Sequence, residues 1–318
     1  MKIALLGTGF GQAHAAVYAE RSDVDEVVVF GRTPHKLAAI SGQFGFATAS
    51  DLDAVITDPS VDLVDICLPT WLHADVAVRA MQCGRDVLIE LPMATTMADA
   101  QRIITAQRDT GRRAFVDMFS RFSPASQYLR RAVADQRHGP LQVLETEGRT
   151  ALLWEGYDLA LDTLALDMMH ADFDLITSLL GTPATIQVAG TSGTGGRGSA
   201  AEVTLGYPSA IARCASSSLM PQPYQMRGGW RATFPRAVLE YTMRAGFTGA
   251  GAATLTECTI DAEGAIDLPA TGPPYAMMID HVLACLTGQA DNLVDPSSAL
   301  AALDLTLKVH QRLTRPES

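Results

Sequence analysis

The sequence predicts an α/β fold, a parallel-sheet domain followed by an α+β domain with an open, mainly antiparallel sheet. Three observations carry that prediction. A short apolar strand, Lys2 to Leu6, runs into alternating glycines at Gly7, Gly9 and Gly11 and then into an alanine-rich run. Strand and helix patterns alternate from there to Val116, which is how βαβ crossovers and a parallel sheet read. Beyond Ala184 short alternating segments punctuated by Gly and Pro take over, as in an antiparallel sheet.

In order, strands are expected at Lys2–Leu6, Glu26–Phe30, Leu63–Cys67, Asp86–Ile89 and Ala114–Val116, with helices near Gln12–Ala19, Pro34–Gln43, Ala74–Cys83 and Met97–Thr110. Thr33-Pro34 places an N-cap before a proline at the first helical position, and Thr96 with Asp99 has capping-box spacing. Gly84 and Gly111 follow their helices where left-handed caps belong. After Val116 come a helix from Pro124 to Asp135, a strand at Leu141–Gly148 and a long helix from Tyr157 to Leu180. The segments ATIQVAG, AAEVTLGY, AIARCASSSL, RAVLEYTM and TLTECTI then read as strands, and Tyr275–Thr287 and Ser297–Arg312 as closing helices.

A chain of 318 residues, 47% hydrophobic and 19% charged, suits two domains, here 1–120 and 121–318. A net charge of −11 argues against nucleic acid and anionic membrane surfaces as partners. Cys67, Cys83, Cys214, Cys258 and Cys285 lack C-x-x-C spacing, so reduced thiols, no zinc site and a cytoplasmic location are expected. No apolar run is long enough to span a bilayer.

Strand, glycine turn and helix together form the phosphate-binding element of a Rossmann-type domain, where backbone N–H groups at a helix N-terminus face a pyrophosphate. Gly7 permits the tight turn and Gly9 removes a side chain where the phosphates approach; the third G-x-G-x-x-G position is Gln12, with Gly11 one place early. At the end of the second strand, Gly31-Arg32-Thr33 stands where a carboxylate would bind the ribose of NAD. Arg32 and Thr33 suit the extra phosphate of NADP instead. NADP is therefore the expected cofactor, with NAD as the second choice.

The glycine turn, P-x-x-x-H at Pro69–His73, E-x-P at Glu90–Pro92 and R-F-x-P at Arg121–Pro124 together resemble the glucose–fructose oxidoreductase/inositol dehydrogenase/rhizopine-catabolism (Gfo/Idh/MocA) family. The likeness covers about the first 180 residues. It implies an NAD(P)-dependent dehydrogenase of sugars or cyclitols that forms homodimers or homotetramers through the open sheet of its second domain. It also implies cofactor contacts from Gly7, Gly9, Phe10, Gly11, Arg32, Thr33, Pro69, His73 and Glu90, and substrate contacts from Arg121 and Asp174.

Two departures bear on catalysis. The family's E-K-P lysine corresponds to Leu91, which cannot ionise. The histidine slot of the D-x-x-x-H motif is Ala171, with His170 one residue earlier. Asp167 and His170 are spaced i,i+3 and so share a face of an α-helix; the expectation is that His170, helped by Asp167, removes the substrate proton, the alternative being a pair on the helix surface. Glu90-Leu91-Pro92-Met93-Ala94 further resembles a hydroxymuconate-semialdehyde dehydrogenase subgroup, which oxidises a cyclic hemiacetal to a dicarboxylate. Arg121, Arg149, Arg227 and Arg231 are the candidate cations for such a substrate. A second class of function is a cofactor-binding regulatory or sensor protein that has lost catalysis, as Leu91 allows.

Overall fold

The computed structural model describes residues 1–151, 159–245, 251–269 and 274–315. They divide into one unit of Met1–Phe119 with Gly272–Leu300, and a second of Ser120–Thr271 with Ala301–Ser318.

The first unit holds β1 (Lys2–Leu6), α1 (Gly11–Ala19), β2 (Glu26–Phe30), α2 (Pro34–Phe44), β3 (Ala47–Ala49), α3 (Leu52–Thr57), β4 (Leu63–Ile66), α4 (His73–Gln82), β5 (Asp86–Ile89), α5 (Met97–Thr110) and β6 (Ala114–Val116). The sheet order is β3-β2-β1-β4-β5-β6, and every pairing is parallel. All residues of β4 and β5 are buried, as a sheet covered on both faces requires. The order reverses between β1 and β4, where ligands of such sheets bind at the carboxyl ends of the strands. Local chemistry sets the helix ends. Thr96 accepts from the Asp99 N–H at 3.0 Å and donates to the Asp99 carboxylate at 2.8 Å. Gly45 and Gly111 close α2 and α5 with φ of +74° and +65°. β3 and α3 do not stand out in the sequence, because β3 has three residues, two of them exposed, and no apolar pattern.

The second unit holds α6 (Pro124–Ala134), β7 (Val143–Arg149), a π-helical turn at Ala165–Met169 that continues into α7 (His170–Leu180), and seven further strands. These are β8 (Thr185–Ser192), β9 (Ser199–Gly206), β10 (Ile211–Ser217), β11 (Met226–Thr233), β12 (Ala237–Ala245), β13 (Ala252–Thr259) and β14 (Glu263–Ile266). The start of the expected helix at Tyr157 lies outside the described residues; the described part reaches helical structure only near Leu164. The sheet runs β14-β13-β12-β11-β7-β10-β9-β8, antiparallel except for β7 with β10. One face carries the core, with Leu144, Val203, Ala212 and Leu239 packed with Leu129 of α6 and Phe173 and Ile176 of α7. Burying each such large side chain contributes roughly 1.5–3 kcal/mol.

The opposite face is polar. Arg213, Glu145, Arg231 and Glu240 stand in one row across β10, β7, β11 and β12, with ion-pair distances of 3.3, 3.4 and 2.9 Å. Two helices close the chain. α8 (Pro274–Leu286) packs on α1 in the first unit, and α9 (Leu300–Thr314) adds Leu305 and Val309 to the second core. Among the described residues no helix is long and apolar enough to cross a membrane.

Candidate functional site

The glycine turn sits at the reversal point of the parallel sheet. Gly7 has φ +124°, and a Cβ there would lie 2.2 Å from the Cys67 carbonyl oxygen, so only glycine fits. Its N–H donates to the Phe30 carbonyl at 3.0 Å, which ties the ends of β1 and β2 together. Gly9 is exposed, with nothing within 4 Å of a built Cβ. α1 has no side-chain N-cap and no acidic residue in its first turn. The N–H groups of Gly9 and Gly11 find no acceptor among the described residues. Unpaired donors at the positive end of a helix dipole suit an anion. Gln12, in place of the third glycine, braces the turn by donating to the Thr8 carbonyl at 3.0 Å. Gly7, Gly9, Phe10 and Gly11 thus lie together at the carboxyl edge of the sheet, and the N–H groups of Gly9 and Gly11 fit a pyrophosphate.

At the end of β2, Gly31 packs closely against two side chains. A Cβ on Gly31 would meet Thr8 Cγ2 at 2.8 Å and Leu37 Cδ2 at 3.0 Å. Arg32 is exposed and makes no hydrogen bond to the described residues. Thr33 holds the N-cap position of α2 without a side-chain cap bond. Both side chains are free to meet a phosphate. His73, expected as a cofactor contact, is turned inward. It is 1% exposed, with Nδ1 3.0 Å from the Pro92 carbonyl and Nε2 2.7 Å from the Leu68 carbonyl, and burial lowers its pKa. Its role in the fold is to hold the Pro69 and Pro92 loops together.

Beneath the turn lies a polar network that motif reading missed. His14 Nδ1 is 2.8 Å from Asp65 and Nε2 is 3.1 Å from Asp117; Tyr18 donates to Asp65 at 2.7 Å, and the Tyr275 ring tilts over His14 at 5.4 Å. Burial alone would lower the His14 pKa, but the surrounding carboxylates hold it well above the ordinary value. Glu90 accepts from the Leu91 N–H at 2.8 Å through one oxygen, while its other oxygen accepts no hydrogen bond and faces His14 Nε2 at 3.8 Å. Burial and then Asp117 push the Glu90 pKa up to about 8. Donor atoms of His14, Cys67 and Glu90 lie within 4.8 Å of one another. An imidazolium donating through both nitrogens, however, has no lone pair for a metal. The available signal was a lone aspartate inside the apolar strand Leu63–Ile66, with His14 and Tyr18 spaced i,i+4 on α1.

In the second unit, Asp167 and His170 do not share a face. Asp167 is exposed and His170 is 1% exposed, because the π turn that ends at Met169 widens the helix and removes the i,i+3 superposition. The Thr306 hydroxyl donates to the Ala302 carbonyl at 2.8 Å, so it accepts from His170 Nδ1–H at 2.7 Å. That fixes the tautomer. Nε2 keeps its lone pair and has no hydrogen bond to a described residue. Burial, opposed by Asp174 and reinforced by Arg121, lowers the His170 pKa to about 4. Arg121 grips Asp174 with both prongs, at 2.9 and 2.6 Å, and Arg130 Nη2 stands 3.8 Å from the same carboxylate. The other candidate cations lie elsewhere, on the polar sheet face. Arg149 pairs with Glu147 at 2.7 Å, Arg227 covers the Tyr224 ring, and Arg231 joins the charged row.

Comparison with known proteins bears on the first unit and on the fold. Residues 1–118 match the family described as "Oxidoreductase family, NAD-binding Rossmann fold" (GFO_IDH_MocA). The chain is 32% identical to 4-carboxy-2-hydroxymuconate-6-semialdehyde dehydrogenase of Sphingobium sp. over 131 residues, 41% of this chain and 42% of that one. It is 28% identical to inositol 2-dehydrogenase of Rhizobium meliloti over 183 residues, 57% and 55% of the two. The match thus spans about half the length of these curated relatives. Among solved structures, UDP-N-acetylglucosamine 3-dehydrogenase of Acidithiobacillus ferrooxidans superposes with TM-score 0.80 at 24% identity, covering 98% of this chain and 97% of that one. Biliverdin reductase of Synechocystis sp. also gives 0.80, at 20% identity, with 98% of both chains covered. At these identities the likeness is one of fold.

Proposed function

We propose, from the match of residues 1–118 to the Gfo/Idh/MocA oxidoreductases, that the chain is an NAD(P)-dependent dehydrogenase of a small ring alcohol or cyclic hemiacetal. The observation that carries the proposal is the buried, neutral His170, whose Nε2 lone pair is left available by the Thr306 bond. The bound nicotinamide supplies a two-electron hydride acceptor. His170 accepts the carbinol proton at Nε2, a task that Leu91 cannot perform. Thr306 holds the ring in the working tautomer, and the glycine turn and Arg32 bind the phosphates. Leu91 also favours the second reading, a cofactor-binding sensor without catalysis. Turnover of any ring carbinol separates the two.

NADP is the proposed cofactor, since position 31 carries no ribose-binding carboxylate and Arg32 is exposed and makes no hydrogen bond to the described residues. Arg32→Ala should weaken NADPH binding by about tenfold or more, on the order of 1.5 kcal/mol for a charge-assisted contact, and leave NADH unchanged. Fluorescence titration checks this; equal affinities of the wild type for the two cofactors would sink it.

The proposed assembly is a homodimer or homotetramer built on the polar sheet face, in the cytoplasm. The Arg213–Glu145–Arg231–Glu240 row alternates in sign. A two-fold axis running along the strands between β7 and β11 therefore sets each charge against its opposite in a second copy. Light scattering at micromolar concentration should report a dimer or tetramer that dissociates more readily in Arg231→Glu; a monomeric wild type contradicts this.

A further inference from the structure

We infer that His14, Asp117 and Glu90 form a proton-binding site coupled to the charge of the nicotinamide ring, an inference that rests on the dehydrogenase reading. The site gives up a proton when the oxidised cofactor binds and keeps it when the reduced cofactor binds. Glu90 and Asp117 directly follow β5 and β6, at the carboxyl ends of the strands and so on the ligand side of the sheet. A dinucleotide spans the point where the strand order reverses. The glycine turn and Arg32 follow β1 and β2, so the adenosine end belongs on that side. The nicotinamide end then belongs on the side of β4, β5 and β6, with Glu90 and Asp117.

Three carboxylates surround one imidazole. Asp65 is well satisfied, with His14 Nδ1 at 2.8 Å, the Tyr18 hydroxyl at 2.7 Å and the Cys67 thiol at 3.5 Å. Asp117 and Glu90 are not. Both face His14 Nε2, at 3.1 and 3.8 Å, and one oxygen of each, Asp117 Oδ1 and Glu90 Oε1, is buried and accepts no hydrogen bond. His14 is the cation that faces them. Tyr18 and Cys67 stay neutral, as does Tyr275 of α8, because burial raises the pKa of each. Fully ionised, the cluster sets three negative charges against one positive where His14, Asp65 and Asp117 are 0% exposed and Glu90 8%. Two carboxylates sharing such a site do not both ionise, so one proton stays with the Asp117–Glu90 pair at neutral pH. Burial raises the pKa of each, with Asp117 adding to the effect on Glu90. Glu90 is the member of the pair that reaches the surface. Beside a pyridinium cation the pair ionises and its proton leaves to solvent; beside the uncharged dihydronicotinamide it keeps the proton.

Titration calorimetry of the full-length protein at pH 7, in buffers of different ionisation enthalpy, counts the protons released on binding. NADP⁺ and NADPH carry the same phosphates, so the difference between their counts isolates the ring; NAD⁺ and NADH serve if that pair binds instead. The oxidised cofactor should release about half a proton or more beyond the reduced one. Because binding then expels a proton, its affinity relative to the reduced cofactor should rise between pH 6 and pH 8, by about threefold or more. Asp117→Asn and Glu90→Gln each remove one of the carboxylates that share the proton and should bring the excess close to zero, whereas His170→Gln should keep it. Equal counts for the two cofactors in the wild type, an excess that survives either carboxylate variant, or its loss in His170→Gln overturns the inference. Should the carboxylate variants fail to fold, the wild-type comparison and His170→Gln still decide. Binding of both cofactors with equal counts defeats the coupling alone. Failure to bind any nicotinamide cofactor, oxidised or reduced, defeats the dehydrogenase reading instead.

Discussion

His170→Ala should lower turnover by about a hundredfold or more, the scale of losing a general base, while NADPH affinity stays within experimental error. The expectation follows from the tautomer. Thr306 accepts from Nδ1–H, so the lone pair rests on Nε2, and a pKa of about 4 keeps that lone pair available well below neutral pH. The acid limb of the pH–activity profile should therefore fall near pH 4 to 5, below the ordinary histidine value of about 6.5. Stability carries the same signature. Because the folded pKa lies below the unfolded one, the unfolded chain binds the proton first as pH falls. The contribution is full above pH 6.5 and is lost progressively towards pH 4, with a total of roughly 3 kcal/mol. Urea unfolding of wild type and His170→Gln at pH 7 and pH 5 measures it: the wild type should lose more stability between the two pH values than the variant. Thr306→Val should reproduce part of the activity loss by releasing the ring. Full turnover in His170→Ala would remove this base from the mechanism.

Gly7→Ala should both destabilise the first unit and abolish cofactor binding, whereas Gly9→Ala should do only the second. At Gly7 an added Cβ meets the Cys67 carbonyl oxygen at 2.2 Å with φ at +124°. Neither the strand end nor the backbone angle can yield without moving β1 or β4. A strained backbone and an overpacked contact cost about 1–3 kcal/mol each, a large part of a domain's 5–15 kcal/mol. Gly9 has no positive φ and nothing within 4 Å of its Cβ position, so alanine fits the free protein. The methyl group then occupies the approach of the phosphates. Thermal unfolding beside NADPH titration separates the two effects. An unchanged melting temperature for Gly7→Ala, or undiminished binding by Gly9→Ala, contradicts this view of the turn.

The parallel sheet was legible because its signals are local. Apolar strands of four or five residues, a glycine turn and capped helices need no distant partner to be recognised. β11 was not legible, since Met-Arg-Gly-Gly-Trp-Arg-Ala-Thr has no clean alternation and is a strand only because β7 and β12 flank it. Likewise α8 follows the second sheet in sequence yet packs on α1, a return that only tertiary contacts reveal. The glycine turn and the end of β2 could be read from motif and strand end. The surroundings of His170 could not, for two physical reasons. The π turn at Ala165–Met169 changes which side chains share a face, and no spacing rule anticipates it. Arg130 and Arg131 are adjacent and chemically identical, so only the fold shows that one is solvated and the other lies beside Asp174.

The most direct test of the central claim is to follow nicotinamide reduction by absorbance while the purified protein meets NADP⁺ or NAD⁺ and a panel of ring carbinols. The panel should span cyclitols, sugars and cyclic hemiacetals, each with and without a ring carboxylate. Substrate-dependent reduction of NADP⁺, faster than that of NAD⁺ and lost in His170→Ala, is the result expected. Tight NADPH binding with no turnover across the whole panel would contradict it and leave a cofactor-binding sensor in its place.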